Sequence, residues 1–147
     1  MRKAAVWAVA LLLTLFAVAW PLRQTVAVGR NALRLKRAVT NLEGDAAALN
    51  ALVPFEWERV YAFPPYTSRS DIEAAVGVRS RFIREALSEG MTQLLFVNRG
   101  AVVCSVCDFP EKLGYSIDFD GVIAYDEGAV FDATRWDGVV RLTQRRG

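Results

Sequence analysis

A run of uncharged, mostly apolar residues near the amino terminus constrains this chain more than any other feature. Across residues 4–22 the only polar side chain is that of Thr14. Nineteen residues at 1.5 Å each make a helix of roughly 28 Å, close to the thickness of a bilayer's hydrocarbon core. Because a soluble core helix of that length carries a polar stripe, residues 1–22 are predicted to be a transmembrane anchor or a signal peptide.

The sequence of this segment is compatible with both fates. A basic start, an apolar run and the small-residue triplet at 17–19 are typical of a secretory signal peptide that is cleaved before Trp20. However, Trp7 and Trp20 lie towards the two ends of the run, as interfacial aromatic residues of a retained helix do. We favour an uncleaved single-pass anchor, in which Pro21 bends or ends the helix.

Charge divides the 147-residue chain into two unlike parts. Residues 1–42 carry seven basic side chains and no acidic one, whereas residues 43–147 carry eleven basic and sixteen acidic ones, so charges of +7 and −5 make up the net +2. Basic and apolar residues alternate irregularly over 24–42, which predicts an amphipathic helix on anionic headgroups or a solvated stalk. We therefore expect a stalk or linker over 23–53 and a soluble domain over 54–147.

The basic residues also bear on which side of the membrane the domain lies. Two precede the apolar run, and five follow it: Arg23, Arg30, Arg34, Lys36 and Arg37. A positive-inside count therefore favours a cytoplasmic domain. The last three of the five lie twelve or more residues beyond the run, where their influence on orientation is falling.

Helix signals in the soluble part are short. Ser70 and Glu73 have the spacing of a capping box ahead of a helix over 71–76, and Gly77 stands where a helix would end. Apolar residues recur at helical spacing over 78–87, which predicts a further helix or helical turn.

Strand signals are more numerous. Residues 55–63 alternate, with Phe55, Trp57, Tyr61 and Phe63 on one face and the charges of Glu56 and Glu58 on the other, which is the period of a half-buried strand. Apolar runs at 91–97 and 101–107 flank an Asn-Arg-Gly turn, and those at 129–136 and 139–143 flank Asp-Gly, both typical of hairpins. The predicted fold class is α+β: after the membrane or signal helix, about five mostly antiparallel strands with one or two short helices.

Cys104 and Cys107 form a C-x-x-C pair, which is the sharpest candidate for chemistry in the sequence. Such a pair cycles between dithiol and disulfide when the first thiol begins a helix. Here it lies in a predicted strand, where residues three apart project to opposite faces. Four interpretations stay open: unremarkable buried thiols, which we favour, a structural disulfide that needs a bulge, a redox pair, or a metal site completed by oligomerisation.

Carboxylates cluster at Asp118, Asp120, Asp126 and Glu127. Gly121 follows Asp118 by three positions, whereas a calcium loop requires five, so ordinary turns are the better interpretation. The chain has no His, which excludes His-based triads and His metal sites. We predict no catalytic residue, no metal and no cofactor, and in the absence of a recognisable binding motif we predict no nucleic-acid partner.

Two surfaces are candidates for partner contact. The aromatic and proline stretch at 63–67 contains Tyr66, which either contacts a partner or belongs to core packing beside a rigid turn. Arg79, Arg81 and Arg84 form a basic edge suited to an acidic partner or to headgroups, or else a solvated face.

Several segments resemble a group of small bacterial envelope proteins with no known activity. The similar stretches are WERVYAFPPYTS at 57–68, DIE at 71–73 followed by Gly77, LLFVNRGAVV at 94–103 and DEGAVF at 126–131. The resemblance covers roughly residues 55–143 and implies an exported domain. The chain departs from lipid-anchored members because no Cys follows its apolar run, and a Glu stands where their pattern has Asp.

Together these features predict a single-pass protein of the bacterial cytoplasmic membrane whose domain is extracytoplasmic. We expect a non-catalytic binding or assembly module that contacts the bilayer and another envelope protein. Two alternatives remain: a thiol-disulfide protein that uses Cys104 and Cys107, and a regulatory domain tethered on the cytoplasmic side.

Overall fold

A computed structural model describes the backbone of residues 2–145 and the side chains of residues 5–145. The side chains of Arg2 and Lys3, which form the predicted basic start, lie outside the described residues. The chain is α+β, with one long amino-terminal helix followed by two four-stranded sheets and short helices. The helices are α1 Arg2–Thr40, α2 Leu49–Leu52, α3 Arg69–Val76 and α4 Pro110–Leu113, with one 3-10 turn at Tyr125–Glu127. The strands are β1 Ala46–Ala48, β2 Arg59–Ala62, β3 Thr92–Asn98, β4 Ala101–Asp108, β5 Tyr115–Asp118, β6 Gly121–Ala124, β7 Val130–Trp136 and β8 Val139–Gln144.

Helix α1 is one uninterrupted element of 39 residues that contains both the apolar run and the basic stretch behind it. Pro21 lies inside the helix and does not end it. A proline lacks the N–H that would donate to the carbonyl oxygen four residues earlier, here that of Ala17, yet the helix continues through it to Thr40. The segment expected to anchor the chain and the segment that follows it are therefore the same helix.

Residues 23–53, expected to be a stalk or linker, contribute to the core of the domain. The side chains of Leu35 and Val39 on α1 are fully buried, and Leu49 on α2 is almost so. Strand β1 pairs with β7 and begins one of the two sheets. The basic residues of α1 from Arg23 to Arg37 are exposed while its buried residues face the strands, so the core begins at about Val28, within the segment expected to be a stalk.

The first sheet has the order β4-β3-β2-β6 and is antiparallel throughout. The second has the order β1-β7-β8-β5, in which only β5 and β8 run parallel. Both predicted hairpins are confirmed. Their two-residue turns, Arg99-Gly100 and Asp137-Gly138, have positive φ at both positions, the geometry of a type I′ turn.

The first sheet is buried on both of its faces. Leu94 and Phe96 point into the main core between the two sheets and α1. Their neighbours Leu95 and Val97 point into a smaller core that Ile72 of α3 closes. Residues on successive positions of β3 therefore belong to different cores, as the period of two along a strand requires.

Local predictions differ from the structure in three places. Strand β2 is shorter than the predicted 55–63, and helix α3 is capped by Ser68, whose hydroxyl accepts from the Asp71 N–H at 3.2 Å, rather than by Ser70. Residues 78–87 are irregular instead of helical. The side chains of Arg69, Ser105 and Gln93 donate to the carbonyl oxygens of Ser80, Phe82 and Arg84, and the backbone makes a single turn in which the Ile83 N–H donates to the Ser80 carbonyl oxygen at 3.2 Å.

The layers of the domain are stacked along α1. Segment 78–87 contacts the helix closest to the apolar run, since the Arg81 guanidinium donates to the Pro21 carbonyl oxygen at 2.6 Å. Strand β4 comes next, where the Asn31 side-chain amide donates to the Val103 carbonyl oxygen at 2.9 Å. The carboxyl-terminal part of α1 contacts β5 and β8 of the second sheet. Segment 78–87 and α3 are therefore the layer nearest the apolar run.

Truncation of α1 tests whether it is part of the core. We expect Leu35→Ala to lower the free energy of unfolding by about 2–5 kcal/mol, because it leaves a cavity at a fully buried site. Leu33→Ala, which truncates a side chain that is 60% exposed on the same helix, is the control and should change it by less than about 0.5 kcal/mol. Denaturant unfolding of the full chain in detergent measures both. Equal effects of the two substitutions would contradict the assignment of α1 to the core.

Candidate functional site

Two adjoining clefts run along one flank of α1. The first, the lower groove, has a volume of about 340 Å³ and lies between α1 and the start of β4, with Trp20 at the end nearest the apolar run. The second, the upper cleft, has a volume of about 900 Å³ and lies between α1, residues 53–58 and the β3–β4 turn. Asn31 and Val103 line both, so the two clefts share a wall.

The helix supplies its side of these clefts from one face. Trp20, Arg23, Ala27, Asn31 and Arg34 follow one another at intervals of three or four residues, which places them on a single stripe of the helix. The Asn31 bond to the Val103 carbonyl oxygen fixes the helix against the edge of the first sheet. The stripe is therefore held at a set distance from the β3–β4 hairpin.

The two clefts differ in chemistry. The lower groove is lined largely by Ala and Val side chains, with Arg23 as its charged residue among those described. The upper cleft is lined by amides and charges, including Arg34 and Arg99. Within residues 5–145 neither guanidinium takes part in a hydrogen bond or an ion pair. The site thus changes from apolar to polar with distance from the apolar run.

Trp57 forms part of the wall of the upper cleft. Its ring packs edge-to-face against Phe96, with ring centroids 5.7 Å apart, and against Tyr125 at 5.2 Å. The indole Nε1 is buried and lacks a hydrogen-bond partner among the described residues. A buried donor without an acceptor is costly to folding. The wall of the upper cleft therefore contains one hydrogen-bond donor, the Trp57 indole N–H, that the described residues leave unpaired.

A third cleft of about 500 Å³ opens where β5 and β8 lie opposite the start of β3. Arg141 lies 3.6 Å from Asp118, and the Ser116 hydroxyl donates to the same carboxylate at 3.3 Å. Burial raises the pKa of Asp118, and the Arg141 charge and the Ser116 hydrogen bond oppose that shift. The positive charge of Arg141 compensates the negative charge of Asp118, and this ion pair links β8 to β5.

The predicted carboxylate cluster does not form a metal site in the described part of the chain. No group of three or more His, Cys, Asp or Glu side chains converges there. Asp120 belongs to the connection between β5 and β6, and Asp126 and Glu127 to the 3-10 turn, where the Glu127 carboxylate accepts from the Ala124 N–H at 2.8 Å.

Cys104 and Cys107 are both free and buried. Cys104 is paired in register with Phe96 and belongs to the main core, whereas Cys107 is paired with Gln93 on the opposite face. Burial raises the pKa of the Cys104 thiol to about 12. Burial also raises the pKa of Cys107, and the nearby Arg84 charge opposes that shift. The structure holds them as separate thiols.

The structure brings the predicted contact residues into one layer. Tyr66 is 63% exposed, and its N–H donates to the Ala86 carbonyl oxygen at 2.7 Å, so it adjoins the irregular segment that carries the three arginines. Arg79, Arg81 and Arg84 are exposed, but Arg81 also contacts α1. The sequence analysis missed the stripe of α1 that lines the two clefts, although its three- and four-residue spacing could have revealed it.

Comparisons of the chain with protein-family models, with curated proteins and with solved structures find no match. Its function therefore has to be inferred from the geometry of the molecule.

The Cys104 thiol should be unreactive while the chain is folded. At pH 8 a thiol with a pKa of about 12 holds roughly a thousand-fold less thiolate than an ordinary one, so we expect Cys104 to resist iodoacetamide in the folded chain. Mass spectrometry of the Cys104→Ser and Cys107→Ser variants measures each thiol alone, with urea-unfolded chains as the control. Alkylation of Cys104 as fast in the folded as in the unfolded chain would contradict its burial.

Proposed function

We propose that this chain is a single-pass, membrane-anchored binding module of the bacterial cell envelope. The observation that carries the proposal is that one helix, α1, is both the apolar segment and a part of the domain core. Its apolar half has a mean hydropathy of 2.2 and none of that window is buried within the protein. Its other half places Leu35 and Val39 in the main core.

The apolar half of α1 needs a bilayer around it. Large apolar side chains are more than half exposed along its whole length, for example those of Leu11, Phe16 and Leu22. Soluble proteins rarely expose contiguous apolar surface of this extent, whereas a helix of this length satisfies its own backbone groups inside a membrane. The exposed surface supports insertion.

Anchoring through a continuous helix also sets the position of the domain. Because α1 continues from the apolar run into the core, the layer that contains segment 78–87 faces the bilayer and the second sheet lies farthest from it. The contact between Arg81 and Pro21 reinforces that arrangement at the membrane end. A module held in this way presents its flanking clefts at a constant height above the bilayer.

Binding rather than catalysis is the activity that the clefts support. They offer amides, guanidinium groups, the carboxylates of Glu56 and Glu58, and apolar walls, which recognise a ligand. The thiols of Cys104 and Cys107, which the redox alternative requires, lie on opposite faces of the first sheet.

We assign the domain to the extracytoplasmic side. The basic start, the apolar run and the resemblance to envelope proteins support that side. The second candidate is a cytoplasmic domain with a regulatory role, and the specific observation in its favour is the set of basic residues after the apolar run, headed by Arg23 and Arg30.

Reciprocal reporters fused after the last residue test the proposal, one active only outside the cytoplasmic membrane and the other active only in the cytoplasm. We expect activity from the first reporter alone, in the membrane fraction. N-terminal sequencing of the same fusion should find the apolar run still attached. Activity from the cytoplasmic reporter alone would establish the second candidate, and a soluble mature chain that begins at Trp20 would overturn the anchor.

A further inference from the structure

We propose that the lower groove and the upper cleft together bind a phospholipid drawn part-way out of the bilayer, with an acyl chain in the groove and its phosphate in the cleft. This inference rests on the anchored arrangement proposed above. It assigns to the module a ligand class that the anchor alone does not require.

The position of the lower groove is the first argument. It begins at Trp20, inside the end of the apolar run, and reaches Asn31, which is roughly 16 Å farther along the helix. The headgroup layer adds only about 5–8 Å to the hydrocarbon core on each side. The lower end of the groove therefore opens at the level of the bilayer surface, and an acyl chain enters it without crossing water.

The wall of the lower groove suits an acyl chain. Ala27 and Val28 on α1 face residues 101–103 of β4, and the small side chains leave the space between helix and strand unfilled. An apolar chain in that space removes its own surface and that of the wall from water. Arg23, at the lower end, has no ion pair among the described residues and lies at the height of neighbouring headgroups.

The upper cleft suits the phosphate. Arg34 and Arg99 contribute two guanidinium groups that have no partner within residues 5–145, and a guanidinium matches phosphate oxygens in geometry and charge. Glu56 and Glu58 also line the cleft, so its four charged side chains sum to zero before a phosphate binds, and the Glu58 carboxylate already accepts the Arg99 backbone N–H at 3.1 Å. The side-chain amide of Asn98 adds a donor for a polar head, whereas that of Asn50 already donates to the Tyr125 carbonyl oxygen at 3.2 Å.

Lipid retention by the full chain tests the proposal. We expect the wild-type chain, extracted from membranes in mild detergent and washed in lipid-free detergent, to retain about one phospholipid per chain by native mass spectrometry and phosphorus analysis. Ala27→Trp fills the lower groove and should lose most of that lipid. The matched control is Val26→Trp, which places the same side chain on the outer face of α1, where Val26 is 65% exposed, and should retain it.

A second pair of variants tests the headgroup contact. We expect the Arg34→Gln variant to bind phosphatidylglycerol roughly tenfold more weakly than the wild-type chain, because a charge-assisted hydrogen bond to phosphate is lost. The control is Arg37→Gln. Arg37 lies outside both clefts, so this variant should bind as the wild-type chain does.

Three outcomes would overturn the proposal: a wild-type chain free of phospholipid, equal retention by Ala27→Trp and Val26→Trp, or a co-purified polypeptide in the groove instead of lipid. If the chain stays in the membrane fraction but shows any of these three outcomes, the assignment of the groove is wrong and the anchor is unaffected. A chain absent from the membrane fraction disproves the anchor itself.

Discussion

The packing of the carboxyl-terminal half of α1 against the first sheet is the interaction on which the rest of the structure depends. Strand β4 is at the edge of that sheet, and an uncovered edge presents unpaired backbone groups. The helix covers this edge, and the Asn31 side-chain amide donates a hydrogen bond to the Val103 carbonyl oxygen at 2.9 Å. Farther along, Leu35 and Val39 enter the core between the two sheets. One helix thus protects the edge, contributes to the core and carries the apolar segment.

This shared helix explains the arrangement of the other features. Because the layers follow one another along α1, segment 78–87 and Tyr66 lie near the apolar run, and the second sheet lies away from it. The gap between α1 and the β3–β4 hairpin becomes a groove that starts at the end of the apolar run. A flexible tether would fix none of these positions, whereas a helix fixed in the core fixes all of them. The same packing gives both the orientation of the module and the location of its candidate ligand site.

Part of this organisation could be predicted from sequence and part could not. The apolar run, the α+β class and both hairpins follow from local patterns, and the period of two along a strand correctly placed Cys104 and Cys107 on opposite faces.

Residues 23–53 were predicted to be a stalk because their basic side chains dominate the pattern, although the buried residues of α1, Leu35 and Val39 among them, face the strands. Segment 78–87 has helical spacing, but side chains outside it, such as that of Ser105 from 23 residues away, donate to its carbonyl oxygens, and a contact so distant in the chain leaves no local signal. The two clefts depend on contacts between α1 and β4, which are equally distant in the chain.

Hydrogen exchange of the full chain in detergent tests most directly whether α1 is part of the core. We predict that the backbone amides of residues 30–39 open with the same free energy as those of β3 and β4, because these segments unfold together. Exchange in residues 30–39 that is orders of magnitude faster than in β3 and β4 would contradict it. In that case the helix would be a tether beside the domain, and neither the orientation nor the groove would be fixed.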